Sequence, residues 1–91
     1  MQIKYTKHFL NKIEDIFSES DYMLRYEKGS FKSGYCVLMD TKLAIVNKYY
    51  TTEGKINCLL EILKSINIEV KGLSEKNRNF YLELSQTELK L

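Results

Sequence analysis

Residues 28–63 leave few alternatives for the fold. They read KGSFKSGYCVLMDTKLAIVNKYYTTEGKINCLLEIL and contain three of the four glycines, both cysteines and the most apolar run of the chain. The segment opens with a polar loop between Gly29 and Gly34, continues with apolar residues at strand spacing, and ends with an apolar stripe at helical spacing. These features predict a loop, a hairpin and a helix that packs on the hairpin.

Three short segments predict β-strands. Tyr22–Glu27 alternates between larger apolar and mostly polar residues, which is typical of a half-buried strand with one wet face. The alternation resumes in Tyr35–Asp40, whereas Leu43–Val46 is continuously apolar and predicts a central strand covered on both faces. The Asp40-Thr41 junction makes the last two strands a hairpin, although it lacks the Asn-Gly or Asp-Gly of a strong type I′ turn.

Apolar residues at helical spacing predict a first and a last helix. The first begins near Lys7 and ends within Ser18–Asp21, where short polar side chains compete for backbone hydrogen bonds. The last begins after a cap at Ser74 and continues to about Ser85. The side chains expected to face the core are Phe9, Leu10, Ile13, Ile16 and Phe17 in the first helix and Phe80, Tyr81 and Leu84 in the last.

The middle helix has the clearest signals. Thr51 or Thr52 can cap its N-terminus, and Glu53 in the first turn is favoured by the helix dipole. Its predicted buried stripe consists of Ile56, Leu59, Leu60, Leu63 and Ile66. After this helix, Ile68–Val70 alternates and predicts either a short fourth strand or an extended connector, which Gly72 ends.

The order of these predicted elements, α-β-β-β-α-(β)-α, belongs to the α+β class. We expect a single domain over residues 1–91, in which two or three helices pack on a small antiparallel sheet of three or four strands. The chain is 44% hydrophobic and 29% charged, which suits a globular domain with a modest core rather than a disordered segment.

Composition also bears on where the protein works. The longest apolar run is far shorter than the ~20 residues that a membrane helix needs. The N-terminal sequence MQIKYTKHF lacks the apolar region of a signal peptide. We therefore expect a cytoplasmic protein with no membrane role, in which Cys36 and Cys58 remain thiols. A disulfide between these two cysteines is the alternative.

Metal binding and covalent catalysis have little support in the sequence. The chain has one histidine and two cysteines without CxxC, HExxH or HxxxH spacing, whereas a zinc site takes three or four such ligands. A catalytic pair of Cys36 and His8 would need hydrogen-bond contact, and GYCVLM gives the thiol no activating neighbour apart from Lys32. The loop is no P-loop, because Tyr35 replaces the phosphate-binding lysine. We predict no metal and no cofactor, and the sequence favours a non-enzymatic role.

A binding surface is the remaining hypothesis. Residues 25–55 contain six basic and three acidic residues, a net charge of +3, with aromatic residues interleaved. Aromatic side chains beside cations can stack on bases and contact phosphates, and tyrosine and arginine are also frequent at protein interfaces. The basic–aromatic set consists of Arg25, Lys28, Phe31, Lys32, Tyr35, Lys48 and Tyr49. It predicts contact with nucleic acid or with a protein partner, and the structural alternative is an ordinary solvated sheet face.

The sequence LRYEKGSFKSGYCVLMDTKLAIVNKYYTTEGKINCLLEIL resembles a family of short bacterial proteins of unknown function. The family pattern is R-Y-E-K-G-x-F-x-S-G-Y-C, an apolar strand ending I/V-N-K, and a helix opening E-G-R/K-I-N-x-L. The match covers roughly residues 24–63, and Lys55 stands where arginine is as frequent. The resemblance implies a bacterial cytoplasmic protein without a known activity, so it transfers no functional residue.

The strand and the helix that follows it are also similar to the minimal core of HExxH zinc metallopeptidases. The corresponding helix, EGKINCLLEILK, has neither histidine, so this likeness implies a catalytically inert domain. The favoured interpretation is a small binding or accessory domain. The runner-up is an inert relative of a metallopeptidase-like core, or an enzyme with no recognisable motif. The sequence leaves self-association as a homodimer open.

Overall fold

A computed structural model describes residues 2–29 and 34–87 of the chain. Three helices and three strands follow one another in the predicted order. Their bounds are Lys7–Glu19 for α1, Met23–Glu27 for β1, Tyr35–Leu38 for β2, Leu43–Asn47 for β3, Thr52–Ser65 for α2 and Glu75–Thr87 for α3. The α+β class is thereby confirmed.

The three strands form a mixed sheet in which β3 lies between β1 and β2. β2 and β3 are antiparallel neighbours, as the hairpin predicts, but β1 runs parallel to β3. The prediction of a purely antiparallel sheet is therefore wrong for this pair. Alternating side chains indicate which residues face the core, but they do not indicate which strand becomes the neighbour. Here the chain passes from β1 to the far edge of the sheet before it returns as the central strand.

The segment after α2 is a connector rather than a strand. Ile68 is buried in an irregular stretch, and Val70–Gly72 forms one turn of 3₁₀-helix. The Gly72 amide donates a hydrogen bond to the Glu69 carbonyl at 3.0 Å. The alternation in the sequence therefore reflects the burial of Ile68 and not a place in the sheet.

The helices cover one face of the sheet. α1 packs on β1, α2 packs on β3, and α3 packs on α1. Ala44 and Val46 of β3 point to this inner face and are fully buried. Leu43 and Ile45 point to the opposite, outer face and are only partly buried. The prediction that Leu43–Val46 is covered on both faces is therefore wrong. The run is continuously apolar because its outer residues, Leu43 and Ile45, are apolar although they are only partly buried.

Side-chain caps set the starts of α2 and α3. The Thr51 hydroxyl accepts a hydrogen bond from the Gly54 amide at 3.0 Å, which confirms the first of the two predicted caps. The Ser74 hydroxyl accepts from the Asn77 amide at 3.3 Å, as predicted for the last helix. Each hydroxyl satisfies an amide that has no partner within its helix.

The core forms where the apolar faces of the helices meet the inner face of the sheet. Every side chain predicted to face inward on the first two helices is buried, as are Phe80 and Leu84 of α3, while Tyr81 is half-buried. Cys58 and Ile62 of α2 are buried too, so its apolar face is wider than the predicted stripe. Burial of each large apolar side chain contributes about 1.5–3 kcal/mol before the entropy cost of ordering it.

Gly34 and Tyr50 fix the entry to β2. Gly34 has a φ of +86°, in the left-handed region that favours glycine. The ring of Tyr50 lies against Gly34, where an added Cβ would overlap it. The same ring lies against Gly54 in the first turn of α2, where a Cβ would come within 2.9 Å. Two glycines far apart in the sequence therefore accommodate one tyrosine ring.

We predict that Gly34→Ala lowers the free energy of unfolding by about 2 kcal/mol or more, because a left-handed backbone strains the new Cβ and the Tyr50 ring must move. Urea unfolding followed by circular dichroism measures the loss. Gly72→Ala is the matched control, since its Cβ would meet the Glu19 carbonyl oxygen at an ordinary 3.8 Å. The control should change stability by less than about 0.5 kcal/mol. Equal losses in the two variants would contradict the role of Gly34.

Candidate functional site

Two rows of side chains cross the outer face of the sheet. Successive residues of a strand point to opposite faces, so the partners of Leu43 and Ile45 in the neighbouring strands share the outer face with them. The first row consists of Met23, Leu43 and Leu38. The second row consists of Arg25, Ile45 and Cys36. The first row is wholly apolar and spans all three strands.

The side chains at the ends of the apolar row are well exposed. Met23 is 62% exposed and Leu38 is 45% exposed, and Met39, which follows β2, is 54% exposed. Single exposed apolar residues are ordinary on a protein surface, whereas a contiguous apolar patch marks an interaction site. The outer face is therefore the candidate functional site.

The described members of the basic–aromatic set do not share one surface. Arg25 lies on the outer face and forms an ion pair with Glu27, two residues further along the same strand. Tyr35 lies on the inner face, opposite Val46 of β3, and packs half-buried against the core. Arg25 and Tyr35 are thus on opposite sides of the sheet.

Three other members lie at the end of the sheet where β1 and β3 finish. The Lys48 amide donates to the Glu27 carbonyl at 3.1 Å, which places Lys48 beside the segment that contains Lys28. The Lys48 ammonium lies 5.3 Å from the centre of the Tyr49 ring, and Tyr49 is 68% exposed. The last two members fall outside the described residues; they are Phe31 and Lys32.

Asn47, at the end of β3, holds both ends of the loop that joins β1 to β2. Its Nδ2 donates to the Gly29 carbonyl at 3.2 Å, and its backbone amide donates to the Gly34 carbonyl at 2.9 Å. Its Oδ1 accepts a hydrogen bond from the Tyr49 amide at 3.0 Å. One residue therefore joins the crossing loop, the central strand and the turn into α2.

The free edge of β1 borders a groove of about 590 Å³ between this strand and α1. Two carboxylates, from Glu14 and Asp21, are part of its lining. Its apolar and aromatic lining residues are Phe17, Tyr22, Met23, Leu24 and Tyr26. The groove therefore combines an apolar wall with negative charge beside an edge strand.

Hydrogen bonds shift the ionisation of groups in this groove. Burial and a hydrogen bond donated to Glu14 raise the pKa of Tyr26 above its ordinary value. The Lys55 ammonium lies 5.0 Å from the centre of the Tyr26 ring. A hydrogen bond from the Lys42 ammonium, at 2.7 Å, lowers the pKa of Asp21. Both groove carboxylates thus already accept hydrogen bonds from their own chain.

Groups with the chemistry of a catalytic or metal site are dispersed. Among the described residues, no three histidine, cysteine or acidic side chains cluster in a way that could hold a metal ion. Cys36 is half-buried on the outer face, and Cys58 is buried in α2, where burial raises the pKa of its thiol. His8 lies in the first turn of α1, on the helical side of the sheet, so it does not pair with Cys36. The two cysteines form no disulfide.

Comparison of the chain with protein-family models, with curated proteins and with solved structures finds no match. The resemblance to short bacterial proteins and the likeness to a metallopeptidase core therefore depend on sequence patterns alone. No helix in the described part of the chain is long and apolar enough to cross a bilayer. The function must accordingly be inferred from the geometry of the domain.

We predict that Asn47→Ala lowers the free energy of unfolding by about 1–2 kcal/mol, because the Gly29 carbonyl and the Tyr49 amide lose their side-chain partner. Urea unfolding measures the change. Asn57→Ala is the matched control, since Asn57 is exposed on α2 and alanine favours a helix, so this variant should be neutral or slightly more stable. A loss in Asn47→Ala no larger than in the control would show that the side-chain hydrogen bonds of Asn47 contribute nothing to stability.

Proposed function

We propose that this domain is a protein-binding module and that the outer face of its sheet is the docking surface. One observation carries the proposal: the apolar row of Met23, Leu43 and Leu38 crosses all three strands on the face that the helices leave uncovered. A complementary protein surface would gain about 25 cal/mol for each Å² of apolar area that it removes from water. The flexible thioether of methionine also adapts well to a partner surface.

The chemistry of the face defines the partner surface that fits it. Ile45 and Cys36, which belong to the second row, continue the apolar surface beside the first row. Arg25 and Glu27 carry opposite charges and form an ion pair with each other, so their charges largely cancel. A protein surface that is apolar and close to neutral is therefore the complementary partner.

Nucleic acid is the less favoured partner. Phosphate binding requires cations that share a surface. Arg25 is engaged with Glu27 on the outer face, whereas Lys28 and Lys48 lie at one end of the sheet. Tyr35, which the sequence offers as a stacking residue, is directed towards the core. The arrangement of these residues supports a protein partner more than RNA or DNA.

The proposal makes the chain an accessory domain rather than an enzyme. Among the described residues, no cluster that could hold a metal ion supports the alternative of a metallopeptidase-like core. We propose the bacterial cytoplasm as the setting, where a reducing environment would keep the half-buried Cys36 as a thiol.

Photo-crosslinking in cells that express the chain tests the docking surface. A benzophenone amino acid replaces Leu38 on the outer face or, as the matched control, Leu82 on α3, which is 46% exposed against 45% for Leu38. We expect the probe at Leu38 to give a discrete adduct with one protein, and the probe at Leu82 to give none. Met23→Lys should reduce the Leu38 adduct about tenfold or more, because docking would bury the new charge in an apolar contact.

Three results would contradict the proposal. Equal adduct yields from the two positions would show that the outer face has no special affinity for protein. An adduct at Leu38 that survives Met23→Lys would show that the apolar row does not contribute. Adducts of RNA or DNA in place of protein would favour the nucleic-acid hypothesis.

A further inference from the structure

We infer that the free edge of β1 pairs with β1 of a second copy of this chain, so that two domains form one six-stranded sheet. The inference goes beyond the proposed function, because it concerns the edge of the sheet and not its outer face. Three features carry it: the backbone groups at the edge, the charges along β1 and the groove beside the strand.

The backbone of β1 is available for a further strand. The Met23 amide donates to the Lys42 carbonyl of the central hairpin at 2.9 Å. In a parallel pair, residues whose amides bond to the neighbour alternate with residues whose amides point away. Leu24 and Tyr26 therefore direct their N–H and C=O groups to the open edge. An unpaired edge of this kind is a template for another strand.

The charges of β1 favour one antiparallel register. Arg25 and Glu27 lie on the same face of the strand, two residues apart. With a two-fold axis at Tyr26, Arg25 of each copy lies directly opposite Glu27 of the other copy. Opposite charges in such cross-strand positions stabilise a pair of strands, and like charges destabilise it. An axis at Arg25 would instead place the two arginines opposite each other.

The same register also pairs the free backbone groups of the two strands and brings a positive charge to the groove. It places the outward-facing Tyr26 of one copy opposite Tyr26 of the other, and Leu24 opposite Lys28, so that hydrogen-bonding residues meet in pairs. Leu24 lines the groove with Glu14 and Asp21. Asp21 is already paired with Lys42, whereas Glu14 accepts its hydrogen bond from the uncharged Tyr26 hydroxyl. The exposed Lys28 of the second copy would bring a positive charge to this groove.

The other free edge is a poorer template for a second copy. β2, Tyr35–Leu38, is only four residues long and has no charged side chain that could select a register. Pairing through β1 would also set the two outer faces side by side. The dimer would thereby present a larger continuous version of the proposed docking surface.

Charge reversal combined with mixing tests the inference. Sedimentation equilibrium of the purified chain should show a reversible dimer of twice the 10.8 kDa chain mass. Arg25→Glu and Glu27→Arg each place like charges opposite one another, so each variant alone should raise the dimer dissociation constant about tenfold. An equal mixture of the two variants should recover the association, because each then meets the opposite charge in the other.

Lys64→Glu is the matched control for reversal of a surface charge. Lys64 pairs with Glu61 at 3.1 Å on α2 and not on β1, so this variant should leave the dimer unchanged. Circular dichroism should show that all variants fold, since the side chains of Arg25 and Glu27 are 53% and 41% exposed and contribute little to the core.

A monomeric mass at every concentration would overturn the inference. A dimer that neither reversal weakens would overturn it too, because that dimer would use another surface. So would a mixture that associates no more strongly than the single variants. None of these results decides whether the outer face docks a protein, which the probe at Leu38 tests separately.

Discussion

β3 has hydrogen-bonded neighbours on both sides, β1 in parallel and β2 antiparallel, while its inner side chains, Ala44 and Val46, are fully buried. α2 packs on β3, α1 packs on β1, and α3 packs on α1. α2 therefore depends on this strand directly, α1 depends on it through β1, and α3 depends on it through α1 and β1. Without it, β1 and β2 would lose their backbone partners and the helices would lose the apolar surface on which they pack.

The central position of β3 explains the unusual composition of residues 28–63. The chain must cross from β1 to the opposite edge of the sheet, and Asn47 at the end of β3 binds both ends of that crossing loop. Tyr50 then closes the turn into α2 against Gly34 and Gly54. These two glycines, the asparagine and the tyrosine therefore have structural roles. The binding function that we propose lies elsewhere, on the outer face and the edge of the sheet.

Helical periodicity predicted all three helices, and capping residues predicted where the last two begin. Alternation separated the core-facing from the outer residues in Tyr22–Glu27, but not in the continuously apolar Leu43–Val46. Strand order was not predictable, because pairing is decided by contacts between segments and not within them. The apolar outer face was also missed. The continuous run Leu43–Val46 predicts burial on both faces. Met23, on the wet face of the first predicted strand, was a sign in the sequence that the outer face is apolar. Cys36 and Leu38 carried no local sign of an apolar outer face, because only the register places them beside Ile45 and Leu43, respectively.

Amide hydrogen exchange followed by NMR tests the central position of β3 most directly. With a neighbour on each side, consecutive amides of Leu43–Asn47 should all be protected, whereas in the edge strand Tyr35–Leu38 only alternate amides should be protected. An antiparallel sheet in chain order would have β2 in the centre. Continuous protection through Tyr35–Leu38, with alternating protection in Leu43–Asn47, would contradict the central position of β3.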